Sequence, residues 1–448
     1  MRKNLSILVV AAMVCLAGLV ATASAGLRPG EAGTTPYVIH VSVDGLRPDA
    51  ITNLGPAGAP HFYRMRTEGA FTDNARTDYD FTITLPSHVT QLTSRPVSGA
   101  AGHHWTGNGD PEAGQTLATV GGAYVAGVYD VVHDSGLRTG LYASKAKFSL
   151  FRDSWNATHG AADAAGPDNG KNKIDTYVNN GNTETLVNAL VADMKAAPFN
   201  YVFLHLTDPD ATGHAKGWDP RVGSDYSRTI QAMDGRLGRL FDMIDRTPAL
   251  KGKTAILLTA DHGGGLAGTE KDHGDPAQLN DYRVPFYVWG PGVKAGADLY
   301  ALNAKTRKNP GDGRPPITDA IQPIRNGEAG NLALQWLGLG PIPGSTFNAS
   351  QNLAVGRTKV LAPAAHAPAA MLAPAALGGS AWSPGWVAVR RPVGENMATQ
   401  QHDVAMPPAF HFGLLFFPFF AGLAPLSLAA AWAAARRAIG TRNGEHET

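Results

Sequence analysis

Apolar and polar positions follow two rhythms along this chain. Short, nearly continuous apolar runs fall at Tyr37–Val43 (YVIHVSV), Arg138–Ala143 (RTGLYA), Tyr201–Leu206 (YVFLHL), Thr254–Leu258 and Val284–Trp289. Their length and their β-branched and aromatic content predict buried strands. Between them the apolar spacing changes to three and four residues. Leu186, Leu190 and Met194 predict a helix over 182–197, and Ile230, Met233, Leu237, Leu240 and Ile244 predict a long amphipathic helix over Ser224–Arg246. Gly330–Leu337 reads as a final helix. Repeated alternation of strand and helix predicts an α/β fold, a large and mostly parallel sheet flanked by helices on both faces. Residues 34–348 suffice for one such domain with local insertions.

Both ends of the chain depart from this pattern. Residues 1–25 carry Arg2 and Lys3, then an apolar stretch, then Ala23-Ser24-Ala25, which predicts a secretory signal. Cys15 is the only cysteine and lies inside it, so the mature chain is expected to form no disulfide. Residues 349–408 are rich in alanine and proline and read as a linker. Within 409–435 an uncharged apolar run from Phe412 to Ala435 is followed by Arg436 and Arg437, a pattern for a transmembrane helix with a cytoplasmic tail at 436–448. Pro418 and Pro425 would kink it. The expectation is an exported catalytic domain in the cell envelope, anchored to the membrane by its C-terminal helix.

Composition narrows the function. Charged residues make up 17% of the chain and the formal net charge is +1, with no basic stripe, so a nucleic-acid-binding surface is not expected. Polar residues of one chemical type instead follow the predicted strands. Asp44 closes the first strand, Asp210 and His214 stand one helical turn apart after YVFLHL, Asp261 and His262 follow AILLTA, and His273 lies in KDHGD. Three carboxylates and three imidazoles can hold two divalent ions, and strand ends are where α/β enzymes place chemistry. Asp208 is the rival carboxylate near Asp210 and is read as a structural neighbour.

A hydroxyl accompanies these ligands. Thr84, in DFTITLPSHVT, precedes a predicted helix start with Pro86 in its first turn. A helix N-terminus offers free N–H groups to a phosphate, and metal coordination can activate an alcohol without a separate base. Thr82, Ser87 and Thr90 are neighbouring hydroxyls that spacing alone does not exclude.

The ordered segments VDGLRPD, TLPSHVTQLTS, PDATGH and TADHG resemble the alkaline phosphatase superfamily, within it the type I phosphodiesterase/nucleotide pyrophosphatase family, over roughly residues 36–345. The resemblance implies one metal on Asp210, His214 and His273 and another on Asp44, Asp261, His262 and Thr84. It implies zinc as the usual metal, with manganese or iron as alternatives. It implies that Thr84 attacks a small-molecule phosphate ester, diester or nucleotide pyrophosphate, through a phosphothreonine. Asn108, in HHWTGN, matches an asparagine that donates to a phosphoryl oxygen, and its bland reading is a turn residue. Lys145 and Lys147, in YASKAKF, resemble a lysine pair that binds extra substrate charge in phosphomonoesterase and phosphonoacetate-hydrolase branches. A monoesterase or phosphonohydrolase is therefore one alternative, and a membrane-tethered phosphoethanolamine or phosphoglycerol transferase is another. A catalytically dead binding protein should have lost a ligand, and all six are present. A sulfatase is not expected, because the mature chain lacks the nucleophile such enzymes modify.

Overall fold

The computed structural model describes residues 35–265 and 271–356, all within the first of two units, residues 1–369. The predicted signal, the predicted membrane segment and tail, and the linker beyond residue 356 lie outside the described residues. Among the described residues no helix is long and apolar enough to cross a membrane.

Eight strands form one sheet: β1 (Tyr37–Val43), β2 (Ala70–Arg76), β3 (Thr139–Ala143), β4 (Thr176–Asn179), β5 (Tyr201–Leu206), β6 (Thr254–Thr259), β7 (Arg283–Trp289) and β8 (Ala297–Asp298). Their order is β4-β3-β5-β1-β6-β7-β2-β8. The first five of these run parallel, and β7 pairs antiparallel with both neighbours. Strand β1 sits between β5 and β6, with Val41 opposite Leu204 on one side and Leu258 on the other. All of β5 and β6 is buried, and all of β1 except Tyr37. That is why these strands read as continuous apolar runs: a parallel sheet covered on both faces leaves no solvent side to encode.

Two groups of helices cover the sheet. The Asp225–Arg246 helix buries Ile230, Met233, Leu237, Leu240 and Ile244, as its periodicity predicted, and packs against the Pro48–Gly58, Pro60–Glu68, Thr183–Ala196 and Asp208–Lys216 helices. The Thr84–Thr93, Val128–Asp134 and Ala329–Trp336 helices pack together as the second group. The Thr183–Ala196 helix begins where Asn182 caps it, its side chain accepting from the Thr185 N–H.

Three strands and several helices, the Pro48–Gly58 helix among them, go beyond what the pattern showed. Strand β2 (AFTDNAR) is too polar to read as buried, and its pairing with β7 shifts register between Thr72 and Ala75. Strands β4 and β8 are short sheet edges. The Pro48–Gly58 helix is interrupted at Gly55, which has φ of +64° and is followed by Pro56. The packed chain also continues past the expected boundary at 348. Leu353 and Val355 are buried in the core, and Gly356 bridges to Val293, so 349–356 belongs to the domain rather than to the linker.

Candidate active site

The carboxyl ends of β3, β5, β1 and β6 stand side by side, and each delivers a polar residue to the same place. Lys145 follows β3, Asp210 lies in the helix after β5, Asp44 follows β1, and Asp261 and His262 follow β6. Gly45 makes the sharp exit from β1 with φ of +68°, and a Cβ there would stand 3.0 Å from the Asp210 Cα. Glycine thus allows two carboxylate-bearing loops to touch, and the Asp210 N–H donates to the Asp44 carbonyl at 3.1 Å.

Two ligand groups result, Asp44 with Asp261 and His262, and Asp210 with His262 and His273, each with donor atoms within 4.8 Å of one another. His214 joins the second group: its Nε2 lies 3.3 Å from Asp210 Oδ1 and 3.2 Å from His273 Nε2. His262 Nε2 lies 3.3 Å from Asp44 Oδ1 and 3.2 Å from Asp261 Oδ2. The other nitrogens are spoken for. His262 Nδ1 bonds the Gly263 carbonyl, His273 Nδ1 the Thr82 carbonyl and His214 Nδ1 the Lys271 carbonyl, which turns every Nε2 inward. Asp44 Oδ1, Asp210 Oδ1, Asp261 Oδ2 and His262 Nε2 are buried with no hydrogen-bond partner. Orphaned buried oxygens are costly, and four converging orphans of this chemistry fit divalent cations.

Thr84 is the first residue of the Thr84–Thr93 helix and nearly fully buried. The competing hydroxyls are engaged elsewhere: Thr82 donates to the His273 carbonyl, Ser87 to the Asp261 carbonyl, and Thr90 pairs with His103. Thr84 Oγ1 alone among them faces the ligands, 3.3 Å from Lys145 Nζ. Lys145 Nζ also lies 2.6 Å from Asp44 Oδ2 and 2.7 Å from Asp210 Oδ2. Asn108 is a site residue as well as a loop residue. Its Oδ1 accepts from the Leu85 N–H at 2.9 Å and from Lys147 Nζ at 3.3 Å. A backbone donor on Oδ1 fixes the amide orientation, so Asn108 Nδ2 is the nitrogen able to donate to a bound group. All ten sequence-predicted residues therefore meet in one place. Alternation along a strand, which would put Lys145 and Lys147 on one face, does not orient them, because Lys145 lies past β3 and Lys147 sits within a 3₁₀ turn over Ala146–Phe148.

Electrostatics follow from burial and charge. Burial pushes the His262 ring down to about 3 and lowers His273 as well, so both are neutral and able to ligate. His214, beside Asp210 and half exposed, is raised. Burial opposes charge on Lys145, yet Asp44 and Asp210 hold its ammonium above the ordinary range. Lys147 is lowered by burial and by its neighbour Lys145.

Sequence reasoning missed the residues that frame this site. Trp218 is buried, its Nε1 donating to the Gly45 carbonyl at 3.2 Å. Its ring stands edge-on to His214 and His273 at 5.0 and 5.6 Å. A Cβ at Gly213 or Gly264 would meet that ring at 2.1 or 2.4 Å, so both glycines exist to seat it. Asn326 Nδ2 reaches Ser87 at 3.0 Å and the Ala260 carbonyl at 3.0 Å, joining the Thr84 helix to the β6 exit. The proximity of Gly213 and Trp218 in TGHAKGW was the one available signal.

Comparison with known proteins places this geometry. Among solved structures, the murine ectonucleotide pyrophosphatase/phosphodiesterase 5, determined in complex with AMP, is 17% identical with a TM-score of 0.47, covering 71% of this chain and 99% of that one. A putative sulfatase from Bacteroides fragilis is 14% identical with a TM-score of 0.42, covering 73% of this chain and 77% of that one. Among curated proteins, the GPI ethanolamine phosphate transferase 1 of Schizosaccharomyces pombe is 34% identical over 107 residues, 22% of this chain. Its Saccharomyces cerevisiae counterpart is 34% identical over 94 residues, 21% of this chain. These matches span only 11% and 9% of the transferases' own lengths. The type I phosphodiesterase / nucleotide pyrophosphatase family profile matches residues 38–308, more than half of the chain and all ten sequence-predicted site residues, and the protein belongs to that family.

Proposed function

We propose that this chain is an exported hydrolase that cleaves phosphate esters through a covalent phosphothreonine at Thr84. The observation that carries the reading is the meeting of the Thr84 hydroxyl, beside Lys145, with two groups of orphaned buried carboxylate and imidazole atoms. Asp210, His214 and His273 would hold one divalent ion, and Asp44, Asp261 and His262, with Thr84, the other. The mixed nitrogen and oxygen donors suit zinc. When bound, the ions supply Lewis-acid charge that favours the Thr84 alkoxide and the departing oxygen.

The chain's own residues do the rest. Thr84 Oγ1, its proton released to solvent, forms a bond to phosphorus while the bond to the leaving oxygen breaks, and that oxygen leaves with the electron pair. Asn108 Nδ2 receives a phosphoryl oxygen. Lys145 neutralises charge developing beside Thr84. Water then cleaves the phosphothreonine and restores the hydroxyl.

Family membership favours a diester or a nucleotide pyrophosphate as substrate. Lys145 on Thr84 and Lys147 on Asn108 favour a more highly charged phosphoryl group, as in a monoester or phosphonate. The matches to ethanolamine phosphate transferases support a second reading, in which an acceptor alcohol replaces water. The N-terminal signal pattern and the apolar segment at 409–435 support attachment of the exported enzyme to a membrane.

The test is hydrolysis of paired p-nitrophenyl mono- and diesters by the metal-replete full-length protein. Activity on either ester, absent in Thr84→Ala, with an intact-mass increase of one phosphoryl group during turnover, supports the reading. Undiminished activity in Thr84→Ala sinks it. An added acceptor alcohol that diverts the product to its phosphoester favours the transferase.

A further inference from the structure

Beneath the site, His205 links two elements that the reaction needs in register. It is fully buried in β5, with its ring between Asp44 at the end of β1 and Ser144 at the end of β3. His205 Nε2 lies 3.0 Å from Asp44 Oδ2. Its Nδ1 lies 3.3 Å from the Ser144 backbone nitrogen and 3.0 Å from Ser144 Oγ. A backbone N–H can only donate, so Nδ1 is the accepting nitrogen and the ring proton sits on Nε2, aimed at Asp44. Burial lowers the ring's pKa and keeps it in this neutral form.

The arrangement has the outline of a serine nucleophile relay, but Ser144 cannot serve as one. It is buried, and its hydroxyl lies within donating distance, 3.0 Å, of the His205 carbonyl. The chain of bonds therefore works toward Asp44. Oδ2 of that carboxylate accepts from His205 and lies beside the Lys145 ammonium, while Oδ1 has no hydrogen-bond partner and faces His262. The ring itself is held by Phe148 at 4.2 Å and His88 at 4.9 Å. His88 in turn bonds the Thr84 carbonyl through Nδ1 and Ser42 through Nε2.

We propose that His205 is a positioning residue that locks Asp44 with Oδ1 turned to the metal and ties the Ser144-Lys145 exit of β3 to that ligand. The proposal rests on the two-metal reading. Outer partners of metal-ligating carboxylates fix ligand orientation, and their loss costs about 10–100-fold in metal affinity. Lysine cannot replace it, because its charge sits on a flexible four-carbon stem.

The experiment compares wild type, His205→Leu and His205→Gln as full-length chains, reading zinc stoichiometry by elemental analysis and zinc affinity by competition with a chromophoric chelator. Leucine keeps the volume and removes the donor; glutamine returns an amide N–H toward Asp44. The expected result is two zinc ions in wild type, one site weakened about 10–100-fold in His205→Leu, and most of that loss recovered in His205→Gln. Unchanged affinity at both sites in His205→Leu overturns the role. So does an equal loss in both variants accompanied by an equal fall in melting temperature, which marks packing alone. A wild-type chain that takes up no zinc, manganese or iron overturns the two-metal reading and this role with it.

Discussion

The Lys145 ammonium lies 2.6 Å from the Asp44 carboxylate, at the junction of the proposed ligands and the proposed nucleophile. The same nitrogen reaches Thr84 Oγ1 at 3.3 Å, so one side chain joins a strand-end carboxylate to the threonine hydroxyl. Lys145→Ala is expected to lower kcat/KM for p-nitrophenyl phosphate by at least about tenfold more than for the bis-ester, since hydrogen bonds to charged groups contribute about 1.5–3 kcal/mol. Equal losses on the two esters would remove the lysine from substrate discrimination.

Chelation should destabilise the fold as well as abolish activity. Without cations, Asp44, Asp210 and Asp261 confront one another in a buried space, and each keeps an oxygen without a hydrogen-bond partner. A ligand at a hundred times its Kd stabilises a fold by about 2.7 kcal/mol per site. Differential scanning calorimetry with EDTA should show a fall in Tm that added zinc reverses. A Tm indifferent to EDTA in a chain shown to be metal-free would remove the ions from the stability argument.

Trp218 is the wedge among the ligand-bearing loops. Trp218→Ala should cost about 3–5 kcal/mol in denaturant unfolding, the range for a deleted buried aromatic. Trp218→Phe keeps part of the ring and should cost less than alanine, losing the bond to the Gly45 carbonyl, about 1 kcal/mol, and the volume of the fused ring. Gly213→Ala should be as damaging as the tryptophan deletion, because its Cβ would enter the ring. A well-folded Gly213→Ala with full activity would show that the loop yields freely.

Asp281, which is not one of the proposed ligands, sets a pH dependence from its place beside the β6 exit, where its carbonyl accepts from the Gly263 N–H at 2.8 Å. It is buried, both carboxylate oxygens lack partners, and burial pushes its pKa up to about 8. The unfolded chain ionises this group near pH 4 while the folded chain keeps it protonated to about 8. The unfolded state thus binds fewer protons in that window, and this group's contribution to stability falls as pH rises from about 4 to about 8. The effect is on the order of a few kcal/mol. Urea midpoints for Asp281→Asn should exceed wild type at pH 8 and converge with it near pH 4. A constant difference across that range would assign the effect to packing.

Which features were legible from sequence follows from how each is encoded. Strands β1, β5 and β6 announce themselves because both their faces are covered, which demands an apolar residue at every position. The Asp225–Arg246 helix is legible for the opposite reason: only one side is buried, and the spacing records which. Strand β2 hid because its partly exposed, shifted pairing leaves no regular pattern, and β4 and β8 hid because short edges need none. Residues 349–356 hid because their two buried positions, Leu353 and Val355, stand among small and polar residues.

The chemistry divides in the same way. Residue type and order along the chain, with the family resemblance, were enough to propose the six ligands, Asn108 and the lysine pair, since a ligand must be a particular donor and most follow an apolar run. Sequence could not choose among Thr82, Thr84, Ser87 and Thr90, because four hydroxyls within one turn or two differ only in what surrounds them. In the folded chain three of them are engaged elsewhere and Thr84 stands against Lys145. Trp218, Asn326, His88 and His205 gained their roles only through the sheet order, which sets β3, β5, β1 and β6 side by side. A donor's identity is written in its side chain, whereas a partner's is a distance between segments far apart in sequence, and only the folded chain sets that distance.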